Sequence, residues 1–159
     1  NEEEGDQRLI EALEDVLSAT ETDMTIFFRK LGDFKIGNSK TGIELIKDAF
    51  YIPNEVIGDL EQQWQDWFVR YDFRLTKENA ADEQRRTQMN LVNPKYVLRN
   101  YMAQLAIDDA DNGNYELIDE FYNLLKHPYA DQPENEKWFA KRPEWARHKV
   151  GCSMLSCSS

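Results

Sequence analysis

Apolar side chains recur every three or four residues along most of this chain, and no segment shows the one-by-one alternation of a strand. The longest such pattern runs from Asn54 to about Thr76 and carries the apolar residues Ile57, Leu60, Trp64, Trp67, Phe68, Tyr71 and Leu75. A spacing of three and four places side chains on one face of an α-helix, whereas a strand needs a spacing of two. The sequence therefore predicts an all-α fold with this row of residues in its core.

The same spacing predicts further helices on both sides of the long one. Most of these segments combine good helix formers with apolar residues on one side. The segment Ala80–Met89 has good helix formers but few apolar residues, so it is predicted to be exposed. The predicted segments are Leu9–Leu17, Asp23–Leu31, Gly42–Phe50, the exposed Ala80–Met89, and Tyr115–Leu125.

Another helix is predicted to begin with Asn93 as its N-cap. An Asn side chain can accept a hydrogen bond from an unpaired amide of the first turn, and Pro94 loses nothing there by lacking an N–H. Gly113 is expected to end this helix in a left-handed C-cap. Its buried side would carry Leu98, Tyr101, Met102 and Leu105.

The regular pattern stops at His127-Pro128, which divides the chain into two predicted parts. Residues 1–128 are expected to form a helical domain, and residues 129–159 an irregular, loop-rich tail that ends in a cysteine-containing segment. The length of 159 residues is that of one ordinary domain, and a hydrophobic content of 41% suffices for a packed core. Because the chain begins with Asn1 rather than Met, we expect a fragment or a processed product.

The net charge of −11 limits the partners that the chain can attract. Nucleic acids and anionic membranes bind cationic surfaces, so neither is expected as a partner. No apolar run approaches the roughly 20 residues that span a bilayer. The acidic start also lacks the basic region of a signal peptide.

No catalytic, cofactor-binding or metal residue is predicted in this chain. Asp109, Asp111 and Glu120 have the spacing of a calcium loop, but the glycine that such a loop requires lies one position too early. His127 and His148 have no second ligand at helical spacing. A metal site at either place is therefore not expected.

Cys152 and Cys157, the two cysteines of the chain, are the candidate redox residues. They lie in a short terminal stretch of small residues, where packing rarely requires a cysteine. The cations at positions 141, 142, 147 and 149 would favour the reactive thiolate form. On the residues alone, a redox role and two unremarkable thiols are equally supported.

Several short motifs carry a family resemblance. They are Trp67–Tyr71, Asn93-Pro94, Leu98-Arg99-Asn100, Ala103-Gln104, Pro143-Glu144-Trp145 and Cys157-Ser158-Ser159. Taken in this order, they resemble the C-terminal part of the selenoprotein O family, also called SelO or YdiU. The resemblance is specific from about Trp64 to Ser159.

The resemblance implies a pseudokinase with a protein-kinase-like fold, which transfers AMP from ATP to the hydroxyl groups of Ser, Thr and Tyr in other proteins. The whole enzyme would use ATP and Mg²⁺ or Mn²⁺, held by residues that precede this chain. Asn93, Pro94, Arg99 and Asn100 would then be a structural motif that packs the helical region onto the kinase-like core. That core is expected to be absent from this chain.

The resemblance also implies partners and a compartment. The expected partners are the kinase-like core and the protein substrates, and the expected compartment is the mitochondrion in a eukaryote or the cytoplasm in a bacterium. Family members carry selenocysteine or cysteine at the position of Cys157, which implies redox chemistry there, with Cys152 or a cysteine of the catalytic part as partner. The alternative is a stand-alone helical module that binds a partner without catalysis.

Overall fold

The computed structural model describes residues 2–150 and residue 152, and the regular structure in this range is helical. Thr22 and Phe50 form an isolated antiparallel bridge, and no strand occurs among the described residues. The prediction of an all-α fold is thus confirmed. No helix in the described range combines the length and the apolar character needed to cross a bilayer. The α-helices are α1 Glu2–Ala19, α2 Met24–Gly32, α3 Gly42–Ile46, α4 Gly58–Glu78, α5 Asp82–Val92, α6 Asn100–Asp111 and α7 Glu116–Leu125.

The chain forms two compact units, residues 1–91 and residues 92–159. The first unit contains α1 to α4 and nearly all of α5, and the second contains α6, α7 and two 3₁₀ helices, Pro133–Trp138 and Glu144–Arg147. The predicted division at residue 128 separates regular helix from irregular chain. The division at residues 91 and 92 instead reflects how the chain packs into compact units. The two divisions describe different properties, so the predicted one stays a prediction.

Aromatic side chains of α4 form the centre of the first unit. Trp64 and Phe68 are fully buried, and Trp67 is 3% exposed. Each indole N–H has a partner: that of Trp64 donates to the Thr20 hydroxyl at 3.0 Å, and that of Trp67 donates to the Leu9 carbonyl at 3.1 Å. The predicted core row is therefore confirmed at these residues, and the two indoles tie α4 to α1 and to the segment after it.

The predicted row is wrong at its beginning, where Ile57 is 67% exposed. α4 begins at Gly58, and Ile57 is its extended N-cap residue. A residue before the first turn does not share the helical face of those that follow it. Val56, one position earlier, is buried instead.

The exposed helix predicted over Ala80–Met89 is present as α5, with one buried exception. Arg85 is 8% exposed and donates hydrogen bonds to the Phe34 carbonyl and to the Asp82 carboxylate, the latter at 2.7 Å. A buried guanidinium requires such acceptors, because its charge is costly to desolvate. This arginine connects α5 to the loop after α2, where Phe34 stacks on Phe68.

The prediction that Asn93 caps a helix is wrong. α6 begins at Asn100 with Arg99 as its N-cap, and residues 93–99 are not helical. The backbone N–H groups of Lys95 and Tyr96 both donate to the Pro128 carbonyl, at 2.8 and 3.1 Å. This distant acceptor holds the segment away from helical geometry.

The predicted buried side of α6 is correct only in part. Tyr101 and Met102 are buried, but Leu98 precedes the helix and is 45% exposed. Gly113 has a φ of +81°, and the N–H of Asn114 donates to the Asp109 carbonyl at 3.0 Å. The left-handed end of α6 predicted at Gly113 is thus confirmed.

Candidate functional site

The candidate site of the second unit is built where residues 93–100 meet the chain that follows α7. The predicted structural motif and Cys152 both lie in this unit. A cluster of buried side chains fills its centre: Tyr96, Tyr101, Met102, Ala106, Phe121, Leu124, Ala146 and Cys152.

Tyr96 fastens the loop after α7 to this cluster. Its ring is 1% exposed, and its hydroxyl donates to the Gln132 carbonyl at 2.9 Å. The Gln132 amide in turn donates to the Leu124 and His127 carbonyls, each at 3.0 Å. Carbonyls at a helix C-terminus lack partners within the helix, so Gln132 supplies what the end of α7 needs.

Lys95 is held by two carboxylates of the irregular segment. Its ammonium lies 2.7 Å from Glu136 and 3.2 Å from Asp131. Burial acts to lower the pKa of Lys95, but the hydrogen bonds to Glu136 and Asp131 more than offset it and raise the pKa above its ordinary value. Lys95 therefore stays charged at neutral pH and serves as an anchor rather than as a base.

Glu120 connects α7 to the first 3₁₀ helix. Its carboxylate accepts hydrogen bonds from Lys137 at 2.8 Å and from the Trp138 indole at 2.7 Å. These two bonds, that of Lys137 first, lower the pKa of Glu120. The Trp138 ring also packs edge-on against the Phe121 ring, with the two ring centroids 4.6 Å apart. Glu120 is thus engaged in structure and is not available as a calcium ligand.

Cys152 is fully buried, although packing rarely requires a cysteine in a terminal segment. Its N–H donates to the Lys149 carbonyl at 3.0 Å. The Lys149 ammonium, one of the cations expected to favour a thiolate, pairs with Asp108 at 2.5 Å. Cys157 lies outside the described residues, and the redox role of the two cysteines stays a prediction.

The four residues of the predicted structural motif lie around the start of α6. Arg99 is 3% exposed and its carbonyl accepts the Ala103 N–H, while Asn100 is the first residue of the helix. Asn93 and Pro94 lie in the irregular segment that precedes it. Their expected packing onto a kinase-like core concerns residues beyond this chain and stays a prediction.

No group of three metal-ligating side chains converges among the described residues. Asp109 and Asp111 lie on the last turn of α6, while Glu120 is bound to Lys137 and Trp138.

Sequence reasoning missed the anchoring roles of Lys95, Tyr96 and Gln132. Pro94 restricts Asn93 to extended geometry, which suits a helix N-cap as well as a non-helical segment, so the Asn-Pro pair does not distinguish the two. Gln132 gives no local signal, because its partners depend on how the chain turns after Pro128.

The fold defines an all-α protein, and the polar groups described at this site join its helices to the segments between and after them. The family described as protein adenylyltransferase SelO matches residues 1–127. The chain belongs to this family. The match begins at residue 1, so the family resemblance extends much further toward the N-terminus than the motifs from Trp64 onward indicate.

Curated bacterial relatives support the same assignment. Three proteins named protein nucleotidyltransferase YdiU match nearly the whole chain. The one from Flavobacterium johnsoniae is 59% identical over 98% of this chain and 30% of its own length. Those from Rhodopirellula baltica and Aromatoleum aromaticum are 46% and 45% identical, over 99% and 97% of this chain and 31% and 29% of their own lengths. The chain thus spans about 30% of the length of these relatives.

Proposed function

We propose that this chain is the C-terminal part of a SelO-type pseudokinase that transfers AMP from ATP to Ser, Thr and Tyr hydroxyls of other proteins. The observation that carries the proposal is the family match over residues 1–127, together with relatives named protein nucleotidyltransferase. The braced scaffold of the second unit suits a supporting role. Its polar groups bind each other, as Lys95 does with Glu136 and Asp131.

In this proposal, ATP and Mg²⁺ or Mn²⁺ are held by the kinase-like part of the full-length protein. When bound, they supply the transferred AMP and the positive charge that stabilises phosphoryl chemistry. The described residues of this chain have no convergent metal ligands, so no step of the transfer is assigned to them. The bacterial origin of the relatives favours the cytoplasm over the mitochondrion as the compartment.

We further propose that Cys157 is a regulatory thiol. Its disulfide would form when a mild oxidant takes two electrons and two protons from Cys157 and a second thiol. The full burial of Cys152 argues against Cys152 as a ready partner, because thiol–disulfide exchange requires access to the sulfur. This favours a partner cysteine in the kinase-like part, where a long-range disulfide would restrain a large segment of chain.

The alternative function is a helical interaction module without catalysis. It is favoured by one face of α7, on which Ile118 and Tyr122 are 45% and 64% exposed, and by Tyr115, which is 60% exposed just before the helix. Exposed apolar side chains at helical spacing are typical of a surface that binds another protein.

The deciding experiment uses the full-length gene product with labelled ATP, Mg²⁺ or Mn²⁺, and a mixture of protein substrates. We expect labelled AMP to appear on substrate hydroxyls. We also expect mild oxidation to lower activity in the wild type and to have less effect in Cys157→Ser, with Cys152→Ser as the matched control that behaves as wild type. A full-length protein that labels no substrate would favour the interaction module. If reductant changes the activity of the wild type and of Cys157→Ser equally, the proposal that Cys157 is a regulatory thiol is wrong.

A further inference from the structure

A groove of about 550 Å³ lies between the first half of α1 and the last half of α4, within the first unit. Its lining contains four cationic side chains and a single acidic one, Asp6. This is the reverse of the balance in the whole chain, which has 30 acidic residues against 19 Lys and Arg. A concentration of positive charge on so acidic a chain calls for an explanation in terms of binding.

One of the four cations is engaged in structure. Arg74 makes a two-pronged ion pair with Asp6, with Nε–Oδ1 at 2.5 Å and Nη2–Oδ2 at 3.2 Å, and lies 3.5 Å from Glu78. The hydrogen bond from Arg74 lowers the pKa of Asp6. This pair holds α1 to α4 and accounts for Arg74.

The other three cations of the groove pair with no carboxylate among the side chains that the structure describes. Arg8 and Arg70 are exposed and form no ion pair with any described side chain. Lys77 lies over the ring of Phe73, with its ammonium 4.6 Å from the ring centroid. Arg8 on α1 and Arg70 on α4 thus present guanidinium groups to the groove from both of its walls, and the Lys77 charge is offset by no carboxylate among the described residues.

The groove also exposes apolar surface. Phe73 is 63% exposed, Val69 one turn before it is 50% exposed, and Leu9 contributes to the lining from α1. A large aromatic side chain that stays this exposed, beside the unpaired guanidinium groups of Arg8 and Arg70, is typical of a surface that a partner covers.

We infer that this groove is a docking site for an acidic segment of another protein. Carboxylates of the segment would pair with Arg8, Arg70 and Lys77, and an apolar side chain would cover Phe73. Because the rest of the chain is acidic, such a segment is repelled elsewhere and directed to the groove.

The spacing of the charges fits an extended peptide. Arg70 and Lys77 are separated by two turns of α4, which is about 10 Å along a helix. Residues three apart in an extended chain are separated by about the same distance, so two carboxylates of one peptide can pair with both cations.

The test measures binding of a fluorescein-labelled peptide, Asp-Glu-Phe-Asp-Glu-Leu, to the 159-residue chain by fluorescence anisotropy. The double variant Arg8→Gln/Arg70→Gln is expected to weaken binding by roughly tenfold or more, since two ion pairs are lost. Phe73→Ala is expected to weaken it further. The matched control is Lys35→Gln/Lys40→Gln, which removes two exposed cations of the same unit outside the groove and should leave affinity unchanged.

The peptide Asn-Gln-Phe-Asn-Gln-Leu is expected not to bind, and added salt should weaken binding of the acidic peptide. Equal affinities of the wild type and the Arg8→Gln/Arg70→Gln variant would overturn the inference, as would binding of the neutral peptide. Displacement of the peptide by low concentrations of inorganic phosphate or ATP would also overturn it, in favour of an anion site. The assay involves no AMP transfer, so its failure is independent of that of the proposed function.

Discussion

Single buried aromatic residues dominate the stability of the first unit. Trp67 is 3% exposed, and its indole N–H donates to the Leu9 carbonyl of α1. Trp67→Ala should therefore lower the free energy of unfolding by about 3–5 kcal/mol, because it leaves a cavity and removes the hydrogen bond to the Leu9 carbonyl. The measurement is a urea or guanidinium melt.

Leu98→Ala is the control for Trp67→Ala, because it also truncates an apolar side chain but at an exposed position. Leu98 lies outside the helix that its spacing predicted and is 45% exposed, so its loss should cost less than about 0.5 kcal/mol. A cost at Leu98 as large as that at Trp67 would contradict the corrected placement of α6.

Gly42 occupies a position where no side chain fits. A Cβ built there would lie 2.3 Å from the Phe68 ring, which is itself fully buried. Gly42→Ala should destabilise the chain by about 1–3 kcal/mol through overpacking. Gly5→Ala, in the middle of a turn of α1 with nothing within 4 Å, should instead stabilise it by about 0.5–1 kcal/mol. Thermal melts of the two variants should therefore shift in opposite directions, and shifts of the same sign would contradict this packing.

At the scale of the elements, the loop after α7 depends on Tyr96. Tyr96→Phe removes the hydroxyl that donates to the Gln132 carbonyl and should cost about 0.5–1.5 kcal/mol. It should also speed hydrogen exchange in the loop and in the 3₁₀ helix that follows it. Tyr122→Phe, at a position 64% exposed, is the control and should change neither quantity. Unchanged exchange in Tyr96→Phe would show that the loop is held by other contacts.

Helix identity could largely be predicted from the sequence, but the starts of α4 and α6 could not. α2 and α7 follow from their apolar spacing, since their buried faces come from residues three and four apart. The segment after Asn93 carried a good capping signal and still stayed extended. Its amides are bound by the Pro128 carbonyl, a partner that no local pattern reveals.

At the scale of the whole molecule, the lowered pKa values of three carboxyl groups make the free energy of unfolding depend on pH in the acidic range. Hydrogen bonds from Arg74, Lys149 and Lys137 lower the pKa values of Asp6, Asp108 and Glu120 in the folded chain. The stability that these groups contribute is therefore complete above their ordinary values, 3.8 for Asp and 4.5 for Glu, and is lost as the pH falls below them.

The acid dependence can be tested with melts across this range of pH. The free energy of unfolding should fall more steeply with acid in the wild type than in the double variant Asp6→Asn/Asp108→Asn. Glu55→Gln, which removes an exposed carboxylate that forms no ion pair with a described residue, should keep the slope of the wild type. Equal slopes in all three proteins would contradict the assigned pairs.

The family could be recognised from short motifs, because the order of the motifs along the chain can be read without knowing which residues they contact in the fold. The groove of the first unit could not be predicted in the same way. Arg8 and Arg70 come from two distant segments, and only the pairing of α1 with α4 brings them to one surface. The burial of Cys152 was also missed, since its packing depends on α6, α7 and the tail together.

The central claim is that this part of a SelO-family protein is a folded helical scaffold and not itself the nucleotide site. The most direct measurement incubates the isolated 159-residue chain with labelled ATP, Mg²⁺ or Mn²⁺, and protein substrate, beside the full-length gene product. We predict AMP transfer by the full-length protein and none by the isolated chain, which should still give the circular dichroism spectrum of a helical protein. Robust transfer by the isolated chain would contradict the claim.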